Sequence, residues 1–388
     1  MPFAHLDAVL AEAEPIALRF AGAGHATYLV GGVVRDLWLD ASLHDESDLD
    51  LTTDARPEQI KQLLDGHVEA LWTQGERFGT IGCIVAGRSW EITTHRSEVY
   101  DPTSRKPQVH YADRIDADLS RRDFTVNAMA IALPDGQLFD PFGGADDLGA
   151  GRLRTPLSPA QSFGDDPLRM LRAARFAATH RLRPDPDVET AIATMAGRLD
   201  IVSVERLRIE LDKLVIAPDP SPGLDLARRT GLLSHVLPEF AALSSPDWDR
   251  CMARLVRVAP DLLPRLATLV LAIDDALRAP RLDALRHPRR VTHAAVELAR
   301  GVERFVASPP RTDAELRRAV VAASKVSPPK VITRHLVPGL LPATWPAVAI
   351  QPSSLMKQPE PDERLMRIAT TAGRHFVTTA SMRASSLT

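Results

Sequence analysis

Two carboxylates separated by one residue, Asp48 and Asp50, have the spacing in this 388-residue sequence that best suits metal chemistry. Side chains two residues apart on a β-strand point to the same face, about 6.5–7 Å apart along the backbone. They can therefore converge on one pair of divalent cations. Leu49 and Leu51 alternate with them and are predicted to face a core. Taken alone, such a pair is better explained as solvent-facing carboxylates on an edge strand.

A glycine pair before these carboxylates changes that interpretation. Gly31 and Gly32 follow a predicted strand at residues 28–30 and precede Arg35. A Gly-Gly turn lets backbone N–H groups approach a phosphate, and a helix N-terminus favours its negative charge. Arg35 either contacts a phosphate or pairs with an aspartate on its own helix. The stretch predicts a phosphate cradle beside a two-metal carboxylate site, as nucleotidyl transfer requires.

A second group of polar side chains lies further along the chain. Glu91 is the candidate for a third metal ligand from a neighbouring strand, and the alternative is an exposed hairpin carboxylate. Arg122 belongs to an Arg-Arg-Asp run whose guanidinium forks suit phosphate oxygens. Asn127 is placed to bond a ribose hydroxyl. The alternative for this run is the capping of a helix predicted at 124–133.

A third cluster, Asp165-Asp166-Pro167-Leu168-Arg169, begins a predicted helix. Asp before Pro is an ordinary helix N-cap, which is the alternative explanation. In the functional interpretation Asp166 and Arg169 offer an acceptor and donors to the edge of a nucleobase, a contact that discriminates bases by about 1–3 kcal/mol. Arg172 and Arg175 continue the same i, i+3 spacing and join the nucleotide-binding candidates.

The length of the chain and the distribution of its charges indicate how many domains it has and what kinds of ligand it binds. A chain of 388 residues is too long for one compact core, which indicates two or more domains. Residues 1–150 hold 12 Lys and Arg against 25 Asp and Glu, whereas the rest hold 35 against 25. An acidic first part fits metal binding, and a basic second part fits a polyanion such as RNA.

The sequence also makes predictions about the compartment. It contains no membrane-length apolar run, and its N-terminus has no basic region before an apolar run. The two cysteines make neither a disulfide framework nor a zinc site. We therefore expect no membrane partner and a cytoplasmic location.

Periodicity predicts an α+β fold followed by an all-α remainder. A strand at 48–52, a hairpin at 79–94 and further short strands indicate a small mixed sheet with helices. Residues 95–117 are predicted to be a long polar loop, and 128–133 an apolar helix. From about residue 157 the pattern is helical throughout, with proline-rich breaks.

At this point the sequence resembles the bacterial class II tRNA nucleotidyltransferases, which are the CCA-adding enzymes and their close relatives the poly(A) polymerases, within the polymerase β superfamily. The resemblance covers about residues 25–240. Five motifs carry it in order and spacing: Gly31-Gly32-x-x-Arg35-Asp36, Asp48-Leu49-Asp50, Arg121-Arg122-Asp123-Phe124-Thr125-Val126-Asn127-Ala128, Asp165-Asp166-Pro167-Leu168-Arg169 and Ser203-Val204-Glu205-Arg206.

The resemblance implies a fold and its domains. A polymerase β-like nucleotidyltransferase head (palm) would span residues 1–150. A helical, nucleotide-selecting neck would span 151–217, and a tRNA-binding body and tail would span 218–388. Many relatives carry a His-Asp phosphohydrolase domain after the body, but the region around 269–275 lacks that pair. We therefore expect no phosphohydrolase activity.

The resemblance also implies residue roles. Asp48 and Asp50 would bind two Mg²⁺ ions, with tRNA, CTP and ATP as partners. The other roles fall into three sets. The triphosphate and ribose would be held by Gly31, Gly32, Arg35, Arg122 and Asn127. The base would be selected by Asp165, Asp166 and Arg169, although the family more often has Glu at the first of these positions. Glu205 and Arg206 would be structural.

Several alternatives remain open at this stage. An A-adding enzyme or a poly(A) polymerase shares these motifs, whereas the full-length loop at 95–117 argues against a CC-adding enzyme, in which this loop is shortened or altered. A catalytically inactive RNA-binding protein would be expected to have lost Asp48, Asp50 or Arg122. A small-molecule nucleotidyltransferase would leave the basic helical part unexplained. A dinucleotide-binding dehydrogenase is disfavoured because Gly-Gly-x-x-Arg-Asp is not its glycine fingerprint.

Overall fold

A computed structural model describes residues 5–39, 49–99 and 108–308 of the chain. The first half alternates strands and helices around one sheet. Its elements in chain order are α1 (Leu6–Gly22), β1 (Thr27–Val30), α2 (Gly32–Trp38), β2 (Leu49–Thr53), α3 (Pro57–Leu64), β3 (Ala70–Trp72), β4 (Thr80–Val85), β5 (Arg88–Thr94), β6 (Arg96–Val99), β7 (Gln108–Tyr111), α4 (Ile115–Ser120), β8 (Ala130–Leu133), β9 (Leu138–Phe139), α5 (Gly144–Ala150) and β10 (Arg152–Leu153).

The main sheet has seven strands in the order β3-β4-β5-β2-β1-β8-β9. β2 occupies the central position and runs parallel to β5, while its other neighbour, β1, is antiparallel. Leu49 and Leu51 are buried and Asp50 between them is exposed, as the alternating pattern predicted. The centre of the sheet therefore holds one carboxylate rigidly on its solvent face.

The prediction of a helix at 128–133 is wrong, because this segment contributes the strand β8. It pairs antiparallel with β1 from Ala130 to Leu133. Ala130 and Ile131 point to opposite faces and both are fully buried. A strand covered on both faces reads as a continuous apolar run, which periodicity alone does not distinguish from a buried helix.

The prediction of a featureless loop at 95–117 is also wrong where the structure describes it. β6 and β7 form a separate antiparallel ribbon, with Arg96 opposite Tyr111, and α4 follows. The ribbon is joined to the main sheet through His95, whose N–H donates to the carbonyl of Thr53 and whose carbonyl accepts from Ala112. The tip between the two strands, residues 100–107, lies outside the described residues.

The second half is almost entirely helical, as predicted. Its elements are α6 (Pro159–Asp165), α7 (Leu168–Thr179), β11 (Arg183–Pro184), α8 (Pro186–Met195), α9 (Val204–Val215), α10 (Ser221–Arg229), α11 (Leu233–Val236), α12 (Pro238–Ala241), α13 (Ser245–Arg257), α14 (Leu262–Val270), α15 (Asp275–Ala284) and α16 (Arg289–Ala307). None of the helices within the described ranges is long and apolar enough to cross a membrane.

The helix α7 is the central element of this half, because it packs against α9 and α10 and also contacts the segment before β8. Its buried residues include Met170, Ala174 and Phe176. One apolar core joins them to the sheet, where Phe124 lies 5.2 Å from the Phe176 ring centroid. α7 is therefore held directly against the segment that precedes β8.

Gly223→Ala is expected to destabilise the protein by about 1–3 kcal/mol, because the backbones of α10 and α7 are in contact at Gly223. A Cβ on Gly223 would lie 2.2 Å from the carbonyl oxygen of Ala174 and 2.5 Å from Leu214 Cδ1. Urea unfolding measures the change. Gly149→Ala in α5 is the control, since no atom lies within 4 Å of its added Cβ. Equal stability of the two variants would contradict the close approach of α7 and α10.

Candidate active site

Two exposed carboxylates lie side by side on the central strands of the sheet. Asp50 on β2 is directly opposite Glu91 on the parallel strand β5, and both side chains are exposed. Adjacent strands are about 4.8 Å apart, so both carboxylates can reach one cation. Carboxylate oxygens are the ligands that Mg²⁺ prefers. Asp48, the other predicted ligand, lies outside the described residues.

The glycine turn lies against the same carboxylate. Gly31 has a φ of 79°, in the left-handed region that favours glycine, and it immediately precedes α2. A Cβ on Gly31 would lie 3.2 Å from Nη1 of Arg122 and 3.6 Å from Oδ2 of Asp50. The structure therefore brings Gly31, Asp50 and Arg122 together, although 91 residues of chain separate the first from the last.

Arg35 is buried, and its guanidinium lies against the glycine turn, where a Cβ on Gly32 would be 3.5 Å from its Nη2. Its Nη1 donates to Oδ1 of Asn127 at 2.7 Å, and its Nε donates to Oδ1 of Asp36 at 2.9 Å. The guanidinium also lies over the Phe176 ring, 5.5 Å from the centroid. The pairing with an aspartate on its own helix, which was the alternative for Arg35, is thus present in the structure.

A chain of hydrogen bonds connects Asn127 with α7 and α9. Asn127 Nδ2 donates to Oδ1 of Asp123 at 2.9 Å, and Arg172 Nε donates to Oδ2 of the same carboxylate at 2.8 Å. Arg172 also reaches Glu210, which is 4% exposed and accepts from Nε of Arg175 at 2.7 Å. Arg172 and Arg175, which are among the arginines predicted to bind nucleotide, are thus engaged by carboxylates of the protein itself.

The charge on Asp123 is stabilised by these partners. Burial alone would raise the pKa of its carboxyl group, but the Arg172 guanidinium and the amide of Asn127 outweigh burial and bring the pKa to about 2. The carboxylate is therefore ionised wherever the protein is folded near neutral pH, and it joins the segment before β8 to α7.

The cluster before α7 is shared between two helices. Asp166 caps α7 by accepting from the N–H of Leu168 at 3.2 Å, and its Oδ2 lies 2.7 Å from Nη2 of Arg206 on α9. Arg169 is 8% exposed and donates to Oγ of Ser162 at 2.9 Å. The same guanidinium also donates to the carbonyl of Arg121 in the first half.

The remaining predicted residues surround this cluster. Asp165 is half-buried at the end of α6, directly before the capping residue. Glu205 pairs with Arg286, which precedes α16, while its neighbour Arg206 holds Asp166. Glu205 and Arg206 therefore connect α9 to the segment before α16 and to the start of α7.

One buried residue in this region was not among the sequence-predicted candidates. Asp118 on α4 is fully buried and pairs with Arg121 and Arg122. Its spacing of i, i+3 and i, i+4 to two arginines is a pattern of helical ion pairs and is visible in the sequence. The loop predicted at 95–117 ends directly before Asp118, so the helix α4, which places Asp118 beside the two arginines, was not predicted.

Comparison with known proteins identifies the class. Residues 27–154 match the family described as "Poly A polymerase head domain". Residues 181–244 match the family described as "Probable RNA and SrmB- binding site of polymerase A". These two matches confirm the family resemblance drawn from the motifs.

The most similar curated proteins include CCA-adding enzymes. That of Lactobacillus helveticus is 38% identical over 237 residues, which are 61% of this chain and 57% of the relative. That of Streptococcus gordonii is 37% identical over 226 residues, which are 58% of this chain and 55% of the relative. The matched region thus spans little more than half the length of these relatives.

Solved structures support the same fold. The Bacillus stearothermophilus CCA-adding enzyme in complex with CTP superposes with a TM-score of 0.68 at 29% identity, over 82% of this chain and 76% of that chain. The Thermotoga maritima CCA-adding enzyme complexed with tRNA-CCA superposes with a TM-score of 0.60 at 25% identity, over 78% and 73%. The predicted α+β head followed by helices is therefore confirmed.

Proposed function

We propose that this protein is a tRNA nucleotidyltransferase that adds C, C and A to tRNA 3′ ends from CTP and ATP, without a nucleic-acid template. The observation that carries this proposal is the convergence of Asp50, Gly31 and Arg122 near the start of the central strand β2. A carboxylate, a glycine turn and a guanidinium in contact suit a triphosphate with its metal ions. The relatives named CCA-adding enzymes, one of them crystallised with CTP, supply the substrate class.

The carboxylates of the central strands would hold the metal. Asp50 and Asp48 are proposed as ligands of two Mg²⁺ ions, and Glu91 as a third ligand because it lies opposite Asp50. When bound, two such ions activate the attacking 3′-hydroxyl and neutralise charge on the triphosphate as pyrophosphate leaves. The exposed position of Asp50 on a rigid strand leaves its oxygens accessible to ions from solvent.

The triphosphate would lie over the glycine turn. Gly31 and Gly32 have no side chain to exclude it, and Nη1 of Arg122 already lies above Gly31. Arg35 and Asn127 are bonded to each other beneath this position, so we propose that Arg35 fixes the amide of Asn127 toward the ribose. Arg172 and Arg175 are engaged by Asp123 and Glu210, and we propose that they fix α7 rather than contact the nucleotide.

The base would be read by Asp165, Asp166 and Arg169 at the start of α7. Asp166 offers an acceptor and Arg169 offers donors, and Arg169 also donates to the carbonyl of Arg121 in the first half of the chain. Their present partners, Arg206 and Ser162, hold the two side chains in place on a helix start. We propose that the edges of cytosine and adenine are recognised here.

Arg169→Ala is expected to relax nucleotide choice, because it removes the donors proposed to read the base. One bidentate contact is worth about 1–3 kcal/mol, so discrimination against UTP and GTP should fall by roughly 10- to 100-fold. Single-nucleotide incorporation on a tRNA transcript measures the ratio. Arg183→Ala, an exposed arginine on β11, is the control. Unchanged incorporation ratios in Arg169→Ala would refute the selecting role.

Two related functions give different products. An A-adding enzyme would extend only a transcript that already ends in CC, and would add one A. A poly(A) polymerase would add many residues from ATP alone to a tRNA transcript, whether that transcript ends before CCA, after C or after CC. Sequencing gels that resolve single nucleotides separate these outcomes from completion of CCA. An inactive RNA-binding protein would extend none of them while still binding tRNA.

A further inference from the structure

The buried carboxylate of Asp118 joins three parts of the molecule. It is 0% exposed and lies in the last turn of α4. Its Oδ1 accepts from Nε and Nη2 of Arg121 at 3.1 and 2.9 Å, and its Oδ2 accepts from Nη2 of Arg122 at 3.1 Å. Its Oδ1 also accepts, at 3.4 Å, from the backbone N–H of Arg96, where the β6–β7 ribbon begins.

The carboxylate of Asp118 is ionised in the folded protein near neutral pH. Burial alone would raise the pKa of the carboxyl group, but the guanidinium groups of Arg121 and Arg122 outweigh burial and bring the pKa to about 2. His95 also faces this carboxylate, and burial lowers the pKa of its imidazole. The negative charge is therefore matched mainly by the two arginines.

Arg122 depends on this carboxylate for its orientation. Its Nη2 is bonded to Asp118, and its Nη1 lies beside the position that a Cβ of Gly31 would occupy, near Asp50. Among the residues that the structure describes, no group accepts a hydrogen bond from the buried Nε of Arg122. The fork of the guanidinium is therefore fixed from one side by Asp118 and presents its other side to the glycine turn.

Arg121 connects Asp118 to Arg169 in the helical half. Its side chain is held by Asp118, and its backbone carbonyl accepts from Nη2 of Arg169 at the start of α7. Arg169 is the residue proposed above to read the base. One buried carboxylate thus fixes both the guanidinium beside Asp50 and the carbonyl on which the selecting arginine rests.

We propose that Asp118 is a positioning residue that aligns the triphosphate-facing Arg122 with the base-reading Arg169, so that it influences both turnover and nucleotide choice. The proposal rests on the proposed function of this site. Asp118 itself touches neither substrate nor metal in this account. Its negative charge is needed because an uncharged side chain would leave two adjacent guanidinium groups to repel each other.

The test compares Asp118→Asn with Asp116→Asn. Among the described residues, Asp116 of the same helix pairs with the exposed Arg114 and accepts from the N–H of Ala117. The readouts are kcat and KM for CTP and ATP on tRNA transcripts, together with the ratio of correct to incorrect nucleotides. For Asp118→Asn we expect kcat/KM to fall at least tenfold for both nucleotides and the incorporation ratio to fall as well. Asp116→Asn is expected to match the wild type.

A double-mutant cycle separates positioning from a general loss of stability. Arg122→Ala should lose most activity alone, and adding Asp118→Asn should lower turnover little further, because the two act through one contact. Additive losses, or an Asp118→Asn variant with the kinetics and ratios of Asp116→Asn, would overturn the proposal. If Asp118→Asn does not fold, Asp118→Glu replaces it. Glu keeps the charge but moves the carboxylate by one methylene, so we expect a smaller fall in kcat/KM and in the incorporation ratio, and values equal to those of Asp116→Asn would overturn the proposal. A wild-type protein inactive on every transcript would instead refute the proposed function itself.

Discussion

Asp50→Asn is expected to lower nucleotide addition by at least about 10³-fold while leaving the fold and tRNA binding intact. A metal bridge is worth several kcal/mol of transition-state stabilisation, and each 1.36 kcal/mol is a factor of ten in rate. Asp50 is exposed on the central strand between the buried Leu49 and Leu51, so its replacement removes a ligand without disturbing the core.

The measurement is single-turnover incorporation with the enzyme in excess over a tRNA transcript. Asp65→Asn is the matched control, because Asp65 is an exposed carboxylate at the end of α3 in the same half of the chain. Circular dichroism and a filter-binding titration establish that both variants fold and bind tRNA. Turnover of Asp50→Asn within tenfold of the control would remove Asp50 from the metal site.

The second large effect is expected on stability, from Asp123→Asn. Asp123 is 8% exposed and accepts hydrogen bonds from Asn127 and Arg172. Arg172 also pairs with Glu210. Removing one partner of a buried ion pair costs about 3–5 kcal/mol, because the other charge is left without its counter-charge. We expect a loss near the lower end of that range, since Glu210 still lies within reach of Arg172.

The pH dependence of this effect has a definite sign. The pKa of Asp123 is about 2 in the folded protein, below the ordinary value of 3.8, so its stabilisation is present above about pH 4. It is lost as pH falls from about 4 toward 2. Urea unfolding of the wild type and Asp123→Asn should therefore differ at pH 7 and converge as pH approaches 2.

Asp135→Asn serves as the control for the stability measurement, because Asp135 is exposed in the turn before β9. Its expected effect is within about 0.5 kcal/mol at either pH. A difference between Asp123→Asn and the wild type that stays constant from pH 7 to pH 2 would contradict the assignment of the stabilisation to the ionised carboxylate of Asp123, whose pKa is about 2.

The centre of the site could be predicted because its signals are local. The alternation of Leu49, Asp50 and Leu51 indicates a strand with one buried face, and the structure has that strand. A glycine pair after an apolar strand indicates a turn, and Gly31 has the positive φ that such a turn uses. These features need only two to six neighbouring residues to be recognised.

The errors arise where long-range pairing decides the structure. The side chains of segment 128–133 are apolar on both faces of the sheet, and only the pairing with β1 makes this segment a strand. The ribbon of β6 and β7 likewise depends on contacts between residues up to 15 positions apart. Neither signal exists within a short window of sequence, so local periodicity selected a helix and a loop.

The roles of the arginines also depend on tertiary structure. Arg172 and Arg175 have the spacing of a basic helix face, which does not reveal that Asp123 and Glu210 lie opposite them. The same holds for Arg35, whose partner Asn127 is 92 residues away. The partners of an arginine in the folded protein decide whether it binds a nucleotide or fixes a helix. The residues next to it in the sequence do not reveal these partners.

Extension of a single tRNA transcript tests the central claim most directly. The transcript ends at the nucleotide before CCA, and the protein is given Mg²⁺ with labelled CTP, ATP or both. We predict two added residues with CTP alone and three with CTP and ATP together, with no further growth. No extension in any mixture, or a long ladder with ATP alone, would contradict the proposal that this protein completes the CCA end of tRNA.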